Sequence, residues 1–289
     1  METLSKILEV IYTILFEPVD ADVLTSQYIV AIRCLVELND SILNINYIDF
    51  ADTILRSLIQ LSRNVVLPVA YAILAYMMVV ELYTLFTKTE GMSGASALQM
   101  PLKIVIKIVI FKVLIDRAHD LLEAIFLLVM KIQNEIFGYT IAYSVSTESI
   151  NNFHDEVAKM SFVQRLFMVQ EVRIYTLLSS LAIVVATVVA IARVFEIYIY
   201  VFLSPIPLAT LAGGEMSQIG KSFLKGFTAV CVQGVIIAII IFLYSQFIKV
   251  FVLGDTLKEQ FWKSMAAVST LIFCLFSSSR WAKAVCGSM

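Results

Sequence analysis

Residues 204–223 read SPIPLATLAGGEMSQIGKSF: two prolines, a double glycine and a Gly-Lys-Ser between two long apolar runs. Either this is a phosphate-binding loop or it is a break between helices, and the fold class turns on which. A P-loop needs four residues between its glycines, G-x-x-x-x-G-K-[ST], and follows a strand. Here six residues separate Gly213 from Gly220 and five separate Gly214 from it. What precedes is a long apolar helical pattern. Spacing and context both exclude the nucleotide loop, and Pro205 and Pro207 mark a point where a helix cannot simply continue.

Working outward, the chain is too apolar for a soluble domain. Of its 289 residues 60% are hydrophobic and only 15% charged, against roughly 45–50% and 25% in soluble domains. Mean hydropathy is +0.89. The sequence therefore predicts an all-α, polytopic membrane protein with a small N-terminal helical extramembrane part. The four cysteines (Cys34, Cys231, Cys274, Cys286) form no C-x-x-C and read as small hydrophobes. The start, METLSKILEV, lacks the basic region of a signal peptide.

Residues 1–64 carry short amphipathic patterns, too short or too charged to cross a bilayer, which needs about 20 apolar residues. Five spans follow, at about 65–86, 121–139, 174–203, 227–252 and 264–280. Trp262 and Trp281 flank the last, as interfacial aromatics do. Residues 102–117 are apolar but hold Lys103, Lys107 and Lys112, and read as a basic helix at the membrane surface. If that segment crosses, there are six spans.

Charge sets the orientation. Segments 88–118, 204–226 and 280–289 carry Lys103, Lys107, Lys112, Lys221 and Lys225 among other basic residues, whereas 1–64, 140–173 and 253–263 are acidic overall. By the positive-inside rule the C-terminus is cytoplasmic and the first 64 residues face outside. The break at Pro205, Pro207, Gly213 and Gly214 then ends the third span on the cytoplasmic side. It is either a sharp turn or a broken element lining a passage, since irregular backbone at membrane depth persists only within protein or beside water.

Of the charged residues within or beside spans, Arg193, Glu196, Glu81 and Glu123 are the most informative. Either they reach for the headgroups, or they form buried pairs or bridges to a neighbouring subunit. Ala182, Ala186 and Ala190 make a small-residue stripe, and Gly234 leaves a small surface on the next span. Both suit close helix approach, within the chain or between subunits. His119 and His154 are isolated and do not make a metal site. No catalytic motif is present, so neither an enzyme nor a cofactor is expected.

The order of features, and above all Ser204-Pro205, the Gly-Gly-Glu turn, Lys221, Phe223, Lys225, Gly226 and Gln233-Gly234, resembles the TrbL-type polytopic inner-membrane component of type IV secretion and conjugal transfer systems, especially compact versions on Gram-positive mobile elements. The resemblance implies a non-enzymatic homo-oligomer in the cytoplasmic membrane, beside the secretion ATPases and the coupling protein. It implies part of the base, or route, by which DNA and protein cross. The N-terminal region would meet extracytoplasmic subunits, and the lysines would contact membrane lipid, ATPase acids or, transiently, transferred DNA. The rival reading is a stand-alone small transporter or channel, which calls for related halves and a polar file at the midplane. Neither is evident.

Overall fold

The computed structural model describes residues 22, 24–26, 29, 47–89, 95–138, 147–214, 216–251 and 257–287. Among these there is no strand. The helices are α1 (Tyr47–Thr89), α2 (Ala95–Asp116), α3 (Ala118–Gly138), α4 (Thr147–Lys159), α5 (Phe162–Leu203), α6 (Pro205–Thr210), α7 (Ser217–Phe251) and α8 (Leu257–Cys286). Most of the N-terminal region, with Cys34, lies outside the described residues, as does the Lys103 side chain.

The expected boundary at 64/65 falls inside α1, which runs unbroken for 43 residues. The charged stretch before Val65 and the apolar stretch after it share one helical ladder, because composition decides what a helix faces and not whether it continues. Pro68 therefore sits in the helix interior and not near a start. It withholds an N–H from the carbonyl of Asn64. α5 is also longer than the expected span, with 42 residues or about 63 Å at 1.5 Å per residue. That is about twice the thickness of a bilayer's hydrocarbon.

Four helices are long and apolar enough to cross a membrane: Ile54–Thr84, Phe162–Leu203, Ser217–Phe247 and Phe261–Cys286. The expected span at 121–139 is not among them, because α3 holds Asp120, Glu123, Lys131 and Glu135 within 21 residues. In α8 the exposed Trp262 and Trp281 lie 19 residues apart, about 28 Å along the axis, which matches the hydrocarbon thickness.

The chain divides into two compact units. One comprises 1–44, 140–188 and 240–276. Its described core includes Phe153, Val157, Val172 and Val268, with the Tyr175 and Phe261 rings 5.6 Å apart. On its surface His154 Nε2 meets Asp22 Oδ1 at 3.0 Å.

The other unit comprises 45–139, 189–239 and 277–289, and holds the break. In it α2 runs antiparallel along α1. Lys107 Nζ meets Glu81 Oε1 at 2.8 Å, and the Tyr71 hydroxyl donates to Asp116. The outward side of α2 is apolar, with Leu102, Val105, Ile106, Val109, Ile110 and Val113 exposed. A helix lying on headgroups needs a polar face; on α2 Lys112 is exposed, while cross-helix partners take up Lys107 and Asp116. Only Arg117 separates α2 from α3, and the bonds Arg117 N→Val113 O and Leu121 N→Arg117 O, 3.1 and 3.0 Å, bridge the join. α6 and the turn after it seat Ala209 and Ala212 against Ala70, Leu74, Ile104 and Ile115 of α1 and α2. Between helices in lipid, close packing and hydrogen bonds do the holding that the hydrophobic effect does in water. Alanines at the contact allow that approach.

Candidate functional site at the proline–glycine break

Two prolines at 205 and 207 leave two carbonyls of α5 without their helical donors, since neither nitrogen carries a proton. The break is nevertheless mostly helical. Ser204 keeps right-handed helical angles, φ −51° and ψ −37°, and Pro205 and Pro207 lie in the first turn of α6. Proline is tolerated there because the first N–H groups of a helix have no internal acceptor. The expected loop at the prolines is thus a short helix, and the irregular backbone starts only after it, around Gly213-Gly214. Neither glycine has positive φ. A Cβ at Gly213 would lie 2.8 Å from Met77 Sδ, while one at Gly214 would touch nothing within 4 Å. Gly213 is needed for space, not for backbone freedom.

Carbonyls at the end of α5 find partners. Val201 O accepts from Ser204 N at 3.4 Å and from Ser204 Oγ at 2.9 Å. Phe202 O, in the last turn of α5 but not one that a proline nitrogen would have bonded, accepts from Ser62 Oγ of α1 at 2.6 Å. Ser62 is fully buried, and its hydroxyl also lies 3.1 Å from His119 Nε2 of α3. The single serine proton goes to Phe202 O, so His119 Nε2 is the donor of that second bond. His119 Nδ1 is buried and has no hydrogen-bond partner among the described residues. A cavity of about 40 Å³ lies beside the ring, lined also by Glu123 and Tyr198. Asp116, one of the acids flanking His119 in sequence, bonds Tyr71 and not the histidine. No group of three or more potential metal ligands occurs among the described residues.

Gly220-Lys221-Ser222 begins α7. A Cβ at Gly220 would lie 2.6 Å from the Pro207 carbonyl oxygen. That glycine lets the start of α7 close onto α6, a packing role in place of a phosphate cradle.

The second cluster centres on Arg193, which is 4% exposed. Its Nε donates to Val230 O at 3.2 Å, its Nη2 to Cys231 O at 3.2 Å, and its Nη1 to Gln133 Oε1 at 3.1 Å. Gly234 makes this possible, since a Cβ there would overlap the guanidinium. Nearby, Gln233 Nε2 donates to Ser278 Oγ at 3.2 Å. Buried charge is tolerable only when hydrogen-bonded, and the notch at 234 opens helix carbonyls to the cation.

The structure brings together Arg193 with Gly234, and Glu81 with Lys107. It does not bring Arg193 to Glu196, which is exposed, as is Glu123. Ala182, Ala186 and Ala190 are buried within the single chain, so this stripe serves the chain's own packing. Lys112, Lys221 and Lys225 are exposed. Sequence reasoning missed Ser62, Gln133 and Ser278, and named Gln233 only as part of the family resemblance. Polar residues scattered in apolar helices were the available signal, but only the fold supplies their partners.

A family model described as TrbL/VirB6 plasmid conjugal transfer like protein matches residues 47–205, more than half of the chain. No curated protein matches, and no solved structure matches. The matched segment runs from the first residue of α1 through α5 to Pro205. This chain is a multi-pass α-helical membrane protein and belongs to the TrbL/VirB6-like conjugal transfer family.

Proposed function

We propose that this protein is a non-enzymatic integral subunit of a type IV secretion or conjugation machine, and that copies of it form an oligomeric base or part of the route for DNA and protein through the cytoplasmic membrane. The observation that carries the reading is the family match across α1–α5. The polar chemistry around the break supports it. Ser62, His119, Arg193, Gln133 and Gln233 serve to join helices, and the Gly-Lys-Ser is a packing element. Energy for transfer then comes from partner ATPases, with the coupling protein delivering substrate. The exposed Lys112, Lys221 and Lys225 face anionic lipid headgroups or acidic partner surfaces on the cytoplasmic side, with transient contact to transferred DNA. The N-terminal region faces outside, toward extracytoplasmic subunits.

The test is twofold. Deleting the gene in a donor should abolish plasmid transfer, with restoration by the intact copy. The purified protein in nanodiscs should have the native mass of a ring of several copies. Undiminished transfer from the deletion strain would end the reading. A clean monomer would remove the oligomeric base and move weight to a stand-alone transporter.

A further inference from the structure

The bond between Gln133 of α3 and Arg193 of α5, 3.1 Å long, ties the two helices together at those residues. Below it, Val129 and Leu122 of α3 share a core with Ile197 and Val201 of α5, so the helices run antiparallel. Lys131 lies two residues from Gln133 and Glu196 three residues from Arg193, both toward the same end. At 1.5 Å per residue these offsets are about 3 and 4.5 Å. Lys131 and Glu196 are thus displaced from that bond in the same direction and by similar amounts.

They do not meet within the chain. Two residues turn a helix by about 200°, so Lys131 points away from the α5 side that Gln133 faces. Both side chains are exposed, and neither forms an ion pair or hydrogen bond among the described residues. Each sits on an apolar outer surface: Lys131 with Leu127, Leu128 and Ile132, and Glu196 with Phe195 and Ile199. An unpaired charge on such a surface is costly in lipid. Lys131 also borders an open groove of about 540 Å³ along α3, with Phe126, Leu127, Met130, Asn134 and Glu135. Glu135 lies one turn higher, about 6 Å from Lys131 along the axis. The groove therefore presents its cation displaced from that bond in the same direction as Glu196, and its own acid above it.

We propose that α5 of one protomer seats in the α3 groove of the next, with Glu196 paired to Lys131 of the partner copy. The two patches are different surfaces of one chain, so the contact is head-to-tail and its repetition gives a closed ring or an open chain of subunits. This rests on the oligomeric reading above and deepens it by naming the interface.

The test starts with the native mass of the intact chain in nanodiscs. The Lys131→Cys/Glu196→Cys chain, with its four native cysteines replaced by alanine, is then oxidised in membranes. The pair should give a ladder beyond dimer, and either single cysteine should not. Glu196→Lys alone should reduce the oligomer at least about tenfold, the equivalent of roughly 1.4 kcal/mol. The swap Lys131→Glu/Glu196→Lys should restore it. If the intact chain is oligomeric but the pair gives no ladder, or if Lys225→Cys/Glu196→Cys gives the ladder instead, the interface is wrong and the functional reading stands. A monomeric intact chain overturns both. Should the charge variants fail to fold, the cysteine pair still decides.

Discussion

The guanidinium of Arg193 occupies the space where a side chain at residue 234 would begin. From there it reaches two carbonyls of α7, at Val230 and Cys231. A glycine on one helix and an arginine on another are thus a single device. Substituting Gly234→Ala should push the guanidinium off its acceptors and lower stability by about 1–3 kcal/mol, the usual range for overpacking. Arg193→Met in the same chain should recover part of the loss. Thermal unfolding in detergent, with Gly214→Ala as the unhindered control, measures it.

Removing the Ser62 hydroxyl withdraws the donor from Phe202 O and the acceptor from His119. Ser62→Ala should cost about 1–3 kcal/mol for the buried groups left unsatisfied. The same denaturation assay checks it, and Ser222→Ala of α7, where the side chain is exposed, is the comparison. Equal melting of the two variants would count against the Ser62 bridge between α1, α3 and α5.

Gly220→Ala should destabilise more than Gly214→Ala, since its methyl would meet the Pro207 carbonyl at 2.6 Å and backbone gives way less readily than a side chain. Lys221→Ala, at an exposed position, should stay within about 0.5 kcal/mol of the parent. ATP binding by the purified protein that is lost in Lys221→Ala would contradict this account of the Gly-Lys-Ser.

Between α1 and α2 the Glu81–Lys107 pair is about two-thirds buried, with 27% and 30% of the side chains exposed. A double-mutant cycle with Glu81→Gln and Lys107→Gln should give a coupling of up to about 1 kcal/mol, larger in nanodiscs than in high salt. Zero coupling in both media would show that the pair does not fasten the hairpin.

Ala186 is 2% exposed. Ala186→Leu should lower the thermal midpoint and the folded yield, at a cost of about 1–3 kcal/mol. An unchanged midpoint would show that the alanine stripe is not tightly packed.

Much of this was legible in the sequence because it rests on composition and period. The apolar runs give the spans of α1, α5, α7 and α8, and the failed spacing of Gly213, Gly214 and Gly220 excludes the nucleotide loop. The TrbL-type family was also legible, though the likeness rested on residues near 204–234 whereas the family match spans 47–205. Partners across helices were not legible. Nothing in a single sequence tells Gly234 that Arg193 is its complement, or Ser62 that the Phe202 carbonyl 140 residues away will take its proton. Arg193 and Glu196, three residues apart, suggest a pair by period. A spacing of three leaves about 60° between side chains on a helix, and that was enough to bury one and expose the other. Helix lengths were underestimated, because charge ends a membrane span without ending the hydrogen-bonded ladder.

α5 continues without a break from Phe162 to Leu203, and so its length is also its phase. One extra residue between Ala190 and Arg193 would turn the guanidinium about 100° from the notch at Gly234, while leaving every residue type in place. Substitutions along this helix act one contact at a time. An insertion re-indexes every contact on one side of it, so the spacing within α5 is constrained as tightly as the residues it carries.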